Sequence, residues 1–259
     1  MIFFPHSVKG QGSLVKGPCN TRDKTIINTK KDKKMFKRKF YTQNLFSKER
    51  IGPHNQDVVS VLVGNLLCDG DGEKRKNSTR FQIHMSSRNA EYVFWLHKFF
   101  VTKGYSSPKK PLVKKQIGKK NIVYFSIKWK TFSFSSLNFL YDSFYSTNKD
   151  TIETNQKIKK VPTNIYSLLT PQALAIWIMD DGGKSGSGLK ISTESFCYRD
   201  NLLLQKTLKI KFSIEPSIQR HKNKYNLYFK KNQIFSLYSI VKPYILPCMR
   251  YKFNVEKNS

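Results

Sequence analysis

The sequence predicts a mixed α/β (α+β) protein built from two similar halves, and three observations carry that expectation. An order of elements, helix, strand, helix, hairpin, helix, begins near residue 57 and begins again near residue 170. The strand segments alternate apolar and polar residues, as antiparallel strands with one buried face do. Each pass opens on an apolar helix that ends in Asp-Gly. The period far exceeds that of solenoid repeats, so two pseudo-symmetric halves are expected rather than an array.

The elements read in order as follows. Residues 1–50 lack a sustained period and hold a charge run of Lys30, Lys31, Lys33, Lys34, Lys37, Arg38 and Lys39, which reads as a flexible basic arm. Its basic, acid-poor character fits a mitochondrial targeting signal, whereas Gly10, Gly12, Gly17 and Pro18 would break an amphipathic helix there; a leader left from intron translation fits equally well. A first half is expected over 51–145. In it Val58, Val59, Leu62, Val63, Leu66 and Leu67 fall at helical spacing up to Gly70, and a strand follows over 80–86. A helix over 90–100, strands over 112–117 and 122–130, and a helix over 134–145 complete it. A polar linker, 146–163, precedes a second half over 164–259. There Thr170-Pro171 starts a helix to 179, a Gly-rich break follows, then a strand over 189–193, a helix over 199–210, a hairpin over 214–230 and a helix over 233–241.

Composition narrows the function. A content of 39% hydrophobic and 14% aromatic residues in 259 suffices for packed cores. The 47 Lys+Arg against 17 Asp+Glu leave +30 at pH 7 and a pI near 10.0, a field that draws polyanions at long range. Nucleic acid is the leading partner, since Lys and Arg sit inside strand alternations as well as in tails. Cys19, Cys68, Cys197 and Cys248 show no CxxC spacing, which argues against a zinc site or a disulfide framework. No apolar run has the length a bilayer needs, so no spanning helix and no membrane partner are expected.

The two helix ends are Leu62-Val63-Gly64-Asn65-Leu66-Leu67-Cys68-Asp69-Gly70 and Leu174-Ala175-Ile176-Trp177-Ile178-Met179-Asp180-Asp181-Gly182. Either alone reads as a helix C-cap, because Gly accepts the left-handed conformation. Two copies at matching places resemble the LAGLIDADG homing endonucleases, in the monomeric, two-motif branch encoded by organellar group I introns. The string Trp177 to Lys184 is similar to that branch's second motif, and Lys242-Pro243-Tyr244-Ile245-Leu246-Pro247 with Tyr251-Lys252-Phe253 is similar to its closing segment. The resemblance covers residue 50 onward. It implies two αββαββα halves whose four-stranded antiparallel sheets form a DNA-binding saddle around a central pair of motif helices, with Gly64 and Ala175 allowing the helices to approach.

The same resemblance implies a site-specific double-strand cleavage that promotes intron homing and leaves short 3′ overhangs. Asp69 and Asp181, flanked by Gly70 and Gly182, would hold Mg²⁺, for which Mn²⁺ can substitute, because hard oxygen ligands suit a hard cation. Lys252 matches the basic residue the family keeps near one site; Lys159 or Lys160 matches the other. A single chain with both motifs implies a monomer, and the intron-encoded type implies a mitochondrion, or else a plastid. Cys68 stands where the motif usually has Gly or Ala, and Asn65 where it usually has an apolar residue.

Alternation marks the residues free to read DNA: Arg80, Gln82 and His84, Lys114 and Gln116, Lys128 and Lys130 in the first half. Lys190, Ser192, Gln219, His221, Asn226, Tyr228 and Lys230 are their second-half counterparts. A plain solvent-facing role competes for each. Trp95, Trp129 and Trp177 read as core residues, and His84 and His221 lack the partners a metal ligand needs. The alternative function is an RNA maturase that aids splicing of its own intron; a third is a DNA-binding regulator descended from an inactive nuclease.

Overall fold

The computed structural model describes residues 45–50, 52–118, 121–147 and 157–253. The arm up to residue 44 lies outside the described residues. Its last stretch does not: Ser47–Glu49 form a 3-10 turn, and Arg50 donates to the Ser133 carbonyl at 3.1 Å and lies 4.6 Å over the Phe132 ring, docked on the first half.

The first half runs α1 (Gln56–Leu67), β1 (Asp71–Arg75), β2 (Ser78–Ser86), α2 (Ala90–Thr102), β3 (Leu112–Ile117), β4 (Val123–Lys130) and α3 (Asn138–Phe144). The second runs α5 (Pro171–Asp181), β7 (Gly182–Ser185), β8 (Gly188–Ser192), α6 (Tyr198–Phe212), β9 (Ser217–His221), β10 (Lys224–Phe229) and α7 (Lys231–Val241), after a short α4 (Ile165–Leu168). Two antiparallel sheets result, with the same strand order, β1-β2-β4-β3 and β7-β8-β10-β9. The expected αββαββα pattern is present in both halves.

The motif helices start where the sequence places caps. Asn55 accepts from the Asp57 amide at 2.9 Å, and Thr170 Oγ1 accepts from the Ala173 amide at 3.1 Å with Pro171 in the first turn. Both helices are buried on nearly every side, from Val58 in α1 and from Ala173 to Met179 in α5, because they pack on each other at the centre. Gly64 makes the contact possible. A Cβ there would stand 2.6 Å from the Ala173 carbonyl oxygen and 2.6 Å from Ile176 Cβ, so the neighbours at this crossing are Ala173 and Ile176 rather than Ala175.

Three readings are corrected. Each half contains one strand more than alternation revealed, β1 and β7, since these edge strands carry charge and glycine instead of alternating apolar residues. The stretch read as linker holds β6 (Lys157–Lys159), which pairs antiparallel with β5 (Tyr145–Thr147). Lys230 lies past the end of β10, at the N-cap of α7, so it leaves the sheet.

Candidate active site and nucleic-acid face

The two motif ends meet at one cavity of about 460 Å³ lined by Asp69, Asp181, Cys68, Gly70 and Lys159. They reach it differently. Helix α1 stops at Leu67, with the Cys68 amide bonded to the Asn65 carbonyl, so Asp69 sits on an exposed turn. Helix α5 continues through Asp181, which is half buried. The flanking glycines do not adopt the left-handed conformation: Gly182 is extended at φ −75 and ψ 147, and the positive-φ glycines among the described residues are Gly104 and Gly186. Crowding requires them instead. A Cβ on Gly70 would lie 2.5 Å from the Asn65 carbonyl oxygen, and one on Gly182 would lie 2.5 Å from that of Ile178.

A lysine braces each motif end. Lys159 Nζ donates to the carbonyls of Cys68 and, at 3.1 Å, Gly70. Lys252 Nζ donates to the carbonyls of Ile178 at 3.3 Å, Met179 at 2.5 Å and Asp180 at 3.0 Å. Burial lowers the pKa of both lysines, opposed by the neighbouring acids. Of the two lysines left open by the sequence, Lys159 lines this cavity, and Lys160 lines a different one.

Burial and, after it, the nearby Asp69 charge push the Asp181 carboxyl up to about 7 against the opposing Lys159 and Lys252. A half-buried acid beside a second, exposed one, with their charges in conflict, is suited to a divalent cation. Among the described residues no cluster of three or more His, Cys, Asp and Glu accompanies them. A metal that keeps several waters, as Mg²⁺ does, fits such a sparse carboxylate set better than one that needs a full protein cage. The Gly70 carbonyl accepts from Lys159 at 3.1 Å, and Gly182 opens β7 opposite Ile191.

Sequence reasoning missed a buried cluster behind Asp181. Both carboxylate oxygens of Asp180 and the Tyr92 hydroxyl are enclosed without a well-formed hydrogen bond, although Tyr92 and the Cys68 thiol stand beside the acid. Burial pushes Asp180 up to about 8, with Tyr92 and Lys252 opposing the rise and Asp181 adding to it. Cys68 donates to the Gly64 carbonyl at 2.9 Å, and burial next to two acids raises its thiol well above the ordinary range. The doubled acid of Asp180-Asp181 was the available signal, but Tyr92 approaches it from the other half.

The sheets carry the remaining candidates on shared faces. Register places Gln82 between Asp71 and Lys130, His84 opposite Lys128, and Lys114 and Gln116 opposite Ser126 and Tyr124, so all project with Arg80 from one side of the first sheet. Lys190 and Ser192 face the same way as Tyr228 and Asn226, with Gln219 and His221 on the neighbouring strand. Several are engaged: Arg80 meets Glu73 at 2.5 Å, and His84 Nε2 lies 2.9 Å from Ser126 Oγ. Asn226 is buried and its Oδ1 lacks a partner. Acids not foreseen on these faces are each paired, Asp71 with Lys157 and Glu194 with Lys224 at 2.9 Å. Trp177 and Trp129 are core residues, and Trp95 stacks on Tyr92 and Phe99.

Residues 59–237 match the LAGLIDADG DNA endonuclease family. The chain belongs to that family. It is 37% identical to the cytochrome b mRNA maturase bI2 of Saccharomyces cerevisiae over 78% of this chain, and the match spans 48% of the maturase, about half its length. It is 32% identical to the intron-encoded endonuclease ai4 of Dictyostelium discoideum over 62% of this chain and 99% of that protein. Among solved structures, the LAGLIDADG architecture is matched by the homing endonuclease I-WcaI bound to its DNA recognition sequence, with a TM-score of 0.68, 25% identity, and coverage of 82% of this chain and 94% of that one.

Proposed function

We propose that the protein is a site-specific, Mg²⁺-dependent endonuclease of double-stranded DNA that promotes homing of the intron encoding it and works as a monomer in an organelle, a mitochondrion by preference. The observation that carries this reading is the convergence of Asp69 and Asp181, one from each half, on a single cavity between two sheets with basic faces. A DNA-bound family relative of matching fold, I-WcaI, supports a duplex as the ligand.

Asp69 and Asp181 are the residues that would hold the ion. When bound, Mg²⁺ supplies Lewis-acid polarisation of phosphoryl oxygens and a more acidic water. The chain does the rest. Arg80, Gln82, His84, Lys114, Gln116, Lys128 and Lys130, with Lys190, Ser192, Gln219 and His221, set the duplex across the saddle by phosphate and base-edge contacts. Lys159, at the cavity wall, offers its remaining donors to water or developing charge on a scissile phosphate; Lys252, enclosed beneath Asp181, fixes the carbonyls that position that acid.

The test is cleavage of a randomised duplex library in Mg²⁺ by the protein and by Asp69→Asn and Asp181→Asn, with products sequenced. A unique double-strand cut with 3′ overhangs, absent from both variants, is expected. Tight duplex binding without any cut would overturn the enzymatic reading. A second reading, an RNA maturase, is favoured by the identity to bI2 maturases of two yeasts, S. cerevisiae at 37% and Debaryomyces hansenii at 31%.

A further inference from the structure

We propose that Asp71 and Glu194, one from each half, are resident counter-ions that keep a DNA backbone out of the central cavity until a divalent cation is bound there, so that seating of the duplex depends on the ion. This rests on the reading of Asp69 and Asp181 as the residues that would hold that ion.

The observation is a local reversal of charge. The chain carries 47 Lys+Arg against 17 Asp+Glu, yet the cavity at which a phosphodiester would be cut is lined by four acids, Asp69, Asp71, Asp181 and Glu194. The cation accounts for Asp69 and Asp181. Asp71, the first residue of β1, and Glu194, two residues past the end of β8, are each tied instead to a lysine from another element. Lys157 of β6 pairs with Asp71 and donates to the Gly72 carbonyl at 2.7 Å, and the Tyr145 hydroxyl donates to the same carboxylate at 3.2 Å. Lys224, the first residue of β10, meets Glu194 at 2.9 Å. The Lys224 ammonium bonded to it, then the nearby His221 and Lys190, hold the Glu194 carboxyl below its ordinary range, so this acid faces three basic residues of the saddle.

The signs decide what enters. Without a cation, four ionised carboxylates outnumber Lys157, Lys159 and Lys224, and a phosphate meets net repulsion at close range. A bound divalent cation reverses that balance and draws the phosphate in. Both lysine pairs are partly exposed, and ion pairs of that kind are weak, so Lys157 and Lys224 can exchange their carboxylates for phosphate oxygens once the ion is present. Repulsion placed here lowers affinity for any duplex and gains discrimination, because a backbone lying on the saddle is committed to the cavity only when the ion is in place.

The experiment measures binding of the full chain to a labelled 30-base-pair duplex of arbitrary sequence by fluorescence anisotropy over a salt series, in EDTA and in Mg²⁺, at pH 8 so that Asp181 is largely ionised. The unaltered chain is compared with Asp71→Asn/Glu194→Gln, with Glu194→Gln alone, and with Asp142→Asn/Glu215→Gln, which loses two lysine-paired acids outside the cavity. In EDTA the cavity variant should bind about tenfold more tightly, with a salt slope steeper by about 2, near 0.9 for each freed lysine. In Mg²⁺ the difference should shrink to within about threefold. Glu194→Gln alone, which removes only a partly exposed pair, should bind about threefold more tightly in EDTA, and it decides on the same terms if the double variant fails to fold. Equal affinities in EDTA would overturn the proposal. So would a gain of equal size in both buffers, or the same gain from the variant outside the cavity, since either would reduce the effect to net charge. Binding alone is read, so the ion-dependent difference without any cut would uphold this inference and sink the enzymatic reading, and a unique cut without the difference would do the opposite.

Discussion

The two halves repeat one topology yet end their motif helices in different ways. In the first, α1 stops two residues early, Asp69 is exposed, and its bracing lysine lines the open cavity. In the second, α5 carries Asp181 within its last turn, and Lys252, only 6% exposed, is tied to three carbonyls beneath it. Two copies of a fold within one chain are free to diverge, because no symmetry forces one substitution to appear twice. Cys68 and Asp180 occupy equivalent places in the two motifs and show how far the divergence has gone. The lesson is that equivalent sequence positions need not have equal surroundings: Lys159 braces its motif end from the wall of the cavity, and Lys252 braces the other from within the core.

That comparison breaks most clearly at the lysines. Lys159→Met is expected to slow duplex cleavage about a hundredfold and, with two braced carbonyls rather than three and an open cavity beside them, to lower the melting temperature by less than the equivalent change at Lys252. Lys252→Met removes the buried ammonium from three carbonyls, of which Ile178 keeps the Gly182 amide, and should cost about 2 kcal/mol, a drop of roughly 6 °C for a chain of this size, in addition to any loss of rate. Equal melting shifts, followed by circular dichroism, would erase the distinction.

The buried acid gives the next effect. Asp180 titrates near 8 in the folded protein against an ordinary 3.8. Between those values the native state keeps a proton that the unfolded chain has released, so stability falls as pH rises across this window, by up to about 1.4 kcal/mol per pH unit, and levels off above it. Asp181, raised to about 7, adds in the same direction. Urea melts of Asp180→Asn should lose much of the decline between pH 5 and pH 8; an unchanged decline would remove Asp180 as its source. Of similar size is Gly64→Ala, which drives a Cβ to 2.6 Å from the Ala173 carbonyl oxygen and should destabilise by about 1–3 kcal/mol. A neutral result would mean that the helices can separate without cost. Least is Glu73→Gln: its pairs with Arg75 and Arg80 are largely solvent-screened, so a stability change under about 1 kcal/mol is expected, and a larger one would mark the first sheet as electrostatically held.

Much of this was legible in the chain. Capping at Thr170-Pro171, the apolar motif helices and the alternation of 80–86 record local physics, and the structure forms α5, α1 and β2 there. Strands β1 and β7 were not legible, because Asp71-Gly72-Glu73-Lys74-Arg75 and Gly182-Gly183-Lys184-Ser185 have no alternation and depend on pairing with β2 and β8. The positions of Asp69, Asp181, Lys159 and Lys252 at the motif ends followed from family resemblance. The grouping of Tyr92, Cys68 and Asp180 did not, since it arises only when elements distant in sequence are packed together.

Lys159 belongs in sequence to the connector, yet its ammonium, like that of neighbouring Lys157, is spent on the first half: Lys157 pairs with Asp71, and Tyr145 bonds the Gly72 amide at 2.9 Å beside it. The halves are therefore not interchangeable cassettes divided at the start of the connector. A chimaera that joined this first half to another family member's second half at residue 146 would arrive without its own brace, whereas a junction placed after Lys160 would carry the complete motif end across.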